Sequence, residues 1–328
     1  MASCRVYIFT YKRNDLLIRS IESVLAQDFT DWVCELHNDD PNDSFPAQFL
    51  SQLNDDRFIL KNHQINLGGS QSFNLAFSDC KEKYASMLED DNWWEPDFLS
   101  TMIEELEEHP SMEIAISNEF LWKEERNGTW TDLKTTVLPK ISGVERYADD
   151  LVDQCGSTKI CNSAMVWRTR KSKYWLIPND LPIDVTEHFR DRVIHKERLI
   201  IYKPLVNFAQ TIHTNRTSDP ASWGSYQVLL IASIFNKISP ELRSTIASRL
   251  LERARRVSAP YKTSLLHASF AEHSARELLN QATLMEIFRY SLTWLKSPRS
   301  CYRIIQSTVR LNDHWQFLLK HTNAEAEQ

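Results

Sequence analysis

From Tyr84 to Leu88 the chain is mostly apolar, and at Glu89 it turns abruptly into three consecutive acids, Glu89, Asp90 and Asp91. Asn92, Trp93, Trp94, Glu95 and Pro96 follow, and a helical pattern begins at Pro96. A short apolar run that stops this sharply marks a buried strand reaching the edge of its sheet. Three carboxylates at one strand end repel each other unless a cation or solvent relieves them. Hard divalent cations such as Mg²⁺ take one or two carboxylates together with phosphate oxygens. The stretch therefore points to a metal–phosphate site at the end of a buried strand. The plain alternative is a solvated acidic turn.

The sequence before it decides between these readings. Residues 4–9 read as a strand, and Asn14 is placed to cap a helix that runs to Gln27 with Leu17, Ile21, Val24 and Leu25 on one face. Residues 32–37 form a second strand, ending in Asn38, Asp39 and Asp40. A turn-rich loop and a short helix to Leu53 lead to a third strand, 57–61. Asn66 to Gly69 is a loop, Ser70 opens a helix to Asp79, and 83–88 is the fourth strand. Strand–helix alternation with short connections predicts a mostly parallel, three-layer α/β sheet. Ligands in such sheets bind beyond the carboxyl ends of the strands. Thr10 to Arg13, Asp39 with Asp40, and Glu89 to Asp91 all lie there, and three polar clusters on one edge are hard to attribute to chance.

Further on, residues 97–109 predict a helix with a solvated acidic face, and 113–118 a fifth strand. Asn127-Gly128 predicts a hairpin turn. Residues 160–167 and 199–208 read as strands, the second pushed by Pro204 towards an edge or a bulge. Between them, Pro178 to Pro182 leads to Asp184 and a helix over 185–195. His213 and Arg216 sit in a polar loop, and helical patterns run from Trp223 to the end, broken near Pro240, Pro260 and Pro298. A boundary near residue 220 then separates an α/β domain, 1–220, from an all-helical C-terminal region, 221–328. Residues 287–320 carry six basic side chains against one acid, with Trp294, Tyr302 and Trp315 interleaved. Such a segment is either a bundle with a solvated basic face, the favoured reading, or a peripheral contact with a membrane or an anionic lipid-linked acceptor.

The chain has 328 residues, enough for one large or two modest domains. Its net charge of −6 excludes a global basic field for nucleic acid. No apolar stretch is long enough to span a bilayer and no signal-peptide pattern opens the chain, so a cytoplasmic location is expected, extending to the inner face of the membrane. The six cysteines form no CxxC pair; Cys4 and Cys34 fall in strands, where core packing is expected. With only six glycines, a Gly-rich phosphate loop is nearly excluded, and a metal or side chains must hold any phosphates.

Over about residues 4–215 the chain resembles the family 2 glycosyltransferases with the GT-A fold. The segment 6–32, with its SVLAQ ending, resembles the family's opening strand and helix. Asn38-Asp39-Asp40 resembles the second-strand acidic motif, and Asn66-Leu67-Gly68 followed by Asn74 resembles the N-x-G segment. Leu88 to Pro96 resembles the DxD segment with its downstream Trp and Pro. Four such fragments in order are a specific signal. The resemblance implies inverting transfer of a sugar from a nucleotide diphosphosugar, UDP-linked by preference, to a saccharide or lipid-linked saccharide hydroxyl in polysaccharide or glycolipid assembly, with Mn²⁺ or Mg²⁺. It implies Asp91 as metal ligand, Glu89 and Asp90 near the ribose or sugar, Asp39 on the nucleoside base and Thr10 lining that pocket. Tyr11, Arg13, Asn66 and Gly68 join this nucleotide-sugar set, and His213 approaches the diphosphate or metal unless it is simply an exposed loop residue. Glu89 stands where Asp is usual, Asp40 where Gly is frequent and Asn92 where a further Asp is frequent, which leaves donor identity open.

An inverting transfer needs a general base. The family's usual Glu-Asp pair is absent, and Asp184, then Glu187, then His188 take its place as candidates, with helix capping the competing role for Asp184. Trp93 and Trp94 are either a sugar-stacking wall or core. Two other functions compete. A sugar-phosphate nucleotidyltransferase would carry a Gly-rich loop where Thr10 to Asn14 has no glycine. A catalytically inactive nucleotide-sugar-binding subunit would fit the missing Glu-Asp pair.

Overall fold

The computed structural model describes residues 2–148, 151–155, 158–194, 197–212, 220–256 and 259–322. The chain divides into two compact units: Met1–Ala148, Lys159–Leu181 and Lys196–Asn215 form the first; Asp149–Thr158, Pro182–His195 and Arg216–Gln328 form the second. The units do not follow a single cut at residue 220, because two earlier segments group with the C-terminal helices.

The first unit runs β1 (Cys4–Thr10), α1 (Asn14–Leu25), β2 (Trp32–Asn38), α2 (Phe45–Leu53), β3 (Phe58–Asn62), α3 (Gly69–Asn74), β4 (Tyr84–Glu89), β5 (Trp93–Trp94), α4 (Phe98–Glu108), β6 (Ile114–Glu124), β7 (Trp130–Thr136), β8 (Val144–Tyr147), β9 (Met165–Arg168) and β10 (Arg198–Gln210). One sheet takes the order β3-β2-β1-β4-β9-β6-β10-β5, with β7 on β6 and β8 on β10. The first four strands are parallel, as the alternation predicts. Beyond β4 the sheet is mixed: β9 runs antiparallel to β4 and β6, and β10 is again parallel to β6.

Register positions the site. Thr10 lies opposite Asn38, Phe9 opposite Glu89, and Asn38 opposite Asn62. The carboxyl ends of β3, β2, β1 and β4 therefore share one edge. Val6, Ile8, Met87 and Leu88 are buried, and α1 covers the sheet with Leu17, Ile21 and Val24. Each such side chain contributes about 1.5–3 kcal/mol by leaving water.

Several local expectations change. Asn14 is the first residue inside α1, and Arg13 holds the cap position without a side-chain capping bond, since a guanidinium has no acceptor to offer the helix N–H groups; it donates instead to the acids after β4. Helix α3 ends at Asn74, followed by a 3-10 turn over Leu75–Phe77; the Asn74 amide bonds Ile177 O and Asn179 Oδ1, both at 2.7 Å. Trp93–Trp94 is a strand paired with Val206 and Asn207, and the helix after Pro96 begins at Phe98. Pro204 sits at a register irregularity of β10, which is paired on both sides, so it marks a bulge and not an edge. Gly128 turns the β6–β7 hairpin at φ +79°, a conformation that favours glycine.

The second unit is helical: α5 (Leu151–Gln154), α6 (Thr186–Val193), α7 (Pro220–Lys237), α8 (Pro240–Arg256), α9 (Ala259–Ala271), α10 (Glu277–Asn280), α11 (Leu284–Lys296), α12 (Pro298–Ile305), α13 (Ser307–Arg310) and α14 (Asn312–His321). Leu151, Val152 and Cys155 join Ile231, Phe235, Leu250, Leu265 and Ile304 in its core. Buried Arg192 ties α6 to this core by donating to Gln154 Oε1 at 2.6 Å and to Leu230 O at 2.9 Å. No disulfide joins any of the six cysteines, and Cys4 and Cys34 are fully buried as expected. No helix among the described residues is long and apolar enough to cross a membrane.

Candidate functional site

The site begins where β1 gives way to α1. Thr10 is buried, Tyr11 is exposed, and Lys12 takes φ 58° with its ammonium 3.8 Å from Asp40. This tight turn leaves Arg13 aimed at the end of β4. Its Nη1 donates to Asp91 Oδ2 at 2.8 Å and lies 3.2 Å from Asp90 Oδ1. Asp90 and Asp91 are both buried. Burial and the neighbouring Asp91 push the Asp90 carboxyl above the ordinary carboxylate range, while Arg13 opposes the rise.

Helix α1 also braces the backbone of the acidic turn. Ser20 Oγ lies 2.7 Å from Asn92 O and 2.9 Å from Asp90 O, and Arg19 Nη2 donates to Asp91 O at 2.7 Å. The Arg19 guanidinium sits 3.7 Å from the Trp93 ring centroid and 4.3 Å from that of Trp130. Burial lowers its pKa to about 10. Trp93 thus stacks on a cation, a favourable arrangement for an indole. Trp94 is core: it is buried, stacked on Phe98, and its Nε1 donates to Ser163 O at 2.7 Å. The expectation of a two-tryptophan sugar wall fails for Trp94.

Glu89 has a different setting from its neighbours. Its Oε2 accepts from Ser163 Oγ at 3.1 Å and from Asn92 Nδ2 at 3.3 Å, while its own N–H donates to Ser163 Oγ. Asn92 Oδ1 accepts from Ala209 N at 2.9 Å, which fastens the acidic turn to β10. Asn92, where a further acid is frequent, is here a buried structural amide.

Asp39, after β2, anchors the loop that follows β3. Its Oδ1 accepts from Leu67 N at 2.8 Å and contacts His63 Nδ1 at 2.8 Å, and its Oδ2 accepts from Gly68 N at 3.0 Å. Asn66 Nδ2 donates to Asp39 O. Gly68, at φ +77°, turns its N–H towards the carboxylate. Asp39, the residue expected on the nucleoside base, also anchors the Asn66–Gly68 loop through both carboxylate oxygens. Behind it, His63 Nε2 meets His37 Nδ1 at 3.1 Å, and His37 Nε2 meets Glu35 Oε2 at 3.3 Å. This chain was missed from sequence. Its signal was there: Glu35, His37 and Asp39 alternate, the spacing of one face of a strand.

The remaining candidates stand elsewhere. Asp184 lies in a half-buried 3-10 turn, Ile183–Val185, and Val185 holds the cap position of α6, so Asp184 is not its cap. Glu187, in the first turn of α6, faces buried Arg190, whose pKa burial lowers to about 9 against the pull of that carboxylate. His188 packs edge-on to Trp223, and burial lowers its pKa to about 4. These three belong to the second unit, and the strand-end cluster belongs to the first. His213 lies outside the described residues.

The donor chemistry suits a hard divalent cation. Asp90 and Asp91 bring carboxylate oxygens to one cationic centre, the place Arg13 fills here, and the Arg13 side chain is 35% exposed.

A mixed sheet with flanking helices, its polar residues gathered at the ends of β1, β2 and β4, followed by a helical region, defines the GT-A class of glycosyltransferase fold. Residues 1–349 of S. aureus TarS, crystallised with UDP-GlcNAc, match it with a TM-score of 0.63 at 13% identity, over 95% of this chain and 92% of that one. The TarS 1–349 complex with UDP matches at 0.59 and 12% identity, with the same coverage. Likeness at such identity shows the fold alone. The chain belongs to glycosyl transferase family 2, whose model matches residues 5–168. WcaA of Escherichia coli (strain K12), a glycosyl transferase named for colanic acid biosynthesis, is 33% identical over 100 residues. That match spans 30% of this chain and 36% of WcaA.

Proposed function

We propose that the chain is an inverting glycosyltransferase that moves a sugar from a nucleotide diphosphosugar to a hydroxyl acceptor in polysaccharide or glycolipid assembly. The observation that carries this reading is the pair Asp90 and Asp91 held by one cation at the end of β4, inside the family-matched segment. A departing nucleoside diphosphate gathers charge in an oxocarbenium-like transition state. Asp91, with Asp90 beside it, would hold Mn²⁺ or Mg²⁺, which when bound supplies Lewis-acid stabilisation of that charge. Glu89, fixed by Ser163 and Asn92, is assigned to the ribose or sugar, and the Asp39-anchored loop to the nucleoside. Arg13, released from the acids, is assigned to the diphosphate. The first unit is proposed to bind the nucleotide sugar, with Asp184 or Glu187 proposed as the base that takes the acceptor proton. UDP-sugars are the first donors to try, because TarS carries UDP-GlcNAc and shares the fold.

The test is turnover of a panel of UDP-, GDP-, CMP- and dTDP-sugars with and without Mn²⁺ or Mg²⁺. Metal is expected to promote turnover, and Asp91→Ala to reduce it by at least about a hundredfold. Turnover that ignores both chelator and that substitution would remove the metal from the reading. Donor binding by calorimetry without transfer to any acceptor would favour the inactive-subunit alternative.

A further inference from the structure

Helix α11 presents two apolar faces, and only one of them is covered. Tyr290 is buried, its hydroxyl 2.8 Å from His267 Nδ1 and its ring stacked on Phe270. On a separate arc of about 100°, Leu284, Met285, Phe288, Leu292 and Leu295 share one stripe. Their exposures are 87, 58, 59, 38 and 79%. Single exposed apolar residues are ordinary on a protein surface; five on one face of one helix are not.

The charges beside the stripe have one sign. Arg289 and Lys296 lie along one border, by helical spacing, and Arg299, Arg303 and Arg310 follow on α12 and α13, all exposed. Between residues 284 and 310 the sole acid is Glu286, and Arg255 neutralises it at 3.1 Å. The rest of the chain more than compensates, to a net −6. A helix with an apolar stripe and a basic border lies in the plane of an anionic membrane: its apolar side chains enter the acyl boundary while the cations meet headgroups.

We propose that α11, with the basic residues of α12 and α13, is a docking surface for an anionic lipid bilayer. A second copy of the chain fits less well. An antiparallel two-fold contact through this stripe would bring Arg289 and Lys296 against their own images. The inference stands on the second unit alone and does not depend on the reading of the strand-end site.

The experiment is co-sedimentation of the full chain with phosphatidylcholine vesicles and with vesicles that also contain phosphatidylglycerol. Binding is expected only to the anionic vesicles, and is expected to weaken at least tenfold as salt rises from low to about 0.5 M, because screening shortens the reach of the cations. Phe288→Glu with Leu295→Glu is expected to abolish it. Arg289→Glu with Lys296→Glu is expected to weaken it at least tenfold. All four positions lie on exposed faces of α11, and circular dichroism with thermal unfolding checks that each variant is folded as the native chain is. If the first pair of substitutions misfolds, the second pair decides. Failure of the native chain to bind anionic vesicles, or equal binding by the variants, would overturn the proposal. So would a concentration-dependent dimer abolished by the same substitutions without any vesicle binding, which would assign the stripe to a second copy.

Discussion

Asp39 shows how one side chain can shape the loop beside a candidate site. Its two oxygens accept from Leu67 N and Gly68 N, and His63 supports one of them. Hydrogen bonds to a charged acceptor are worth more than neutral ones, and amides left without a partner cost their desolvation. Asp39→Asn puts an amide nitrogen near one of the two backbone donors. It is expected to lower stability by about 1–3 kcal/mol in urea unfolding and to raise the donor dissociation constant at the same time. Lost donor affinity at native stability would mean that the carboxylate meets the donor directly. The candidate acids were legible because an apolar run ends at them, which is a local signal. Their partners were not. Arg13 reaches Asp90 and Asp91 across 77 and 78 residues, and Asp39 reaches Gly68 across 29. Periodicity reports which face is buried, but not what a polar side chain meets after the chain returns.

At the level of elements, the parallel strands and α1 could be read because hydrophobic spacing and burial agree over whole turns and strands. β5 could not, since its two residues are too short to show a period, and its place comes from pairing with β10. Residues 160–167 predict one strand, but Asn162–Ala164 is a 3-10 turn and only Met165–Arg168 is β9, and nothing in that short apolar run states that it runs antiparallel to β4. Helix α11 begins with a full capping box: Thr283 accepts from Glu286 N, and Glu286 accepts from Thr283 N at 2.8 Å. A helix seated mainly through Tyr290 depends on such local support more than a fully buried one. Thr283→Ala is expected to cost about 1 kcal/mol, read from urea unfolding, and to loosen amide exchange protection along the first turn of α11. Unchanged protection there would show that packing alone holds the helix end.

For the molecule as a whole, the path of the chain matters as much as either unit. It passes between the units after Ala148, Thr158, Leu181, His195 and Asn215. A fragment ending at residue 220 keeps Leu151, Val152 and Cys155 but lacks Ile231, Phe235, Leu250 and Leu265, their core partners. Such a fragment is expected to bind a hydrophobic dye and to aggregate, while the full chain stays soluble under the same conditions. A monomeric, folded 1–220 fragment with native-like near-ultraviolet dichroism would contradict this. The same path governs how the protein is made. When Cys155 leaves the ribosome, roughly 150 residues remain before Ile304 completes that core, about 8–30 s of synthesis. Early in that interval, before Ile231, Phe235 and Leu250 follow, the nascent chain displays oily side chains whose core partners are still unmade, and holding chaperones have their opening there.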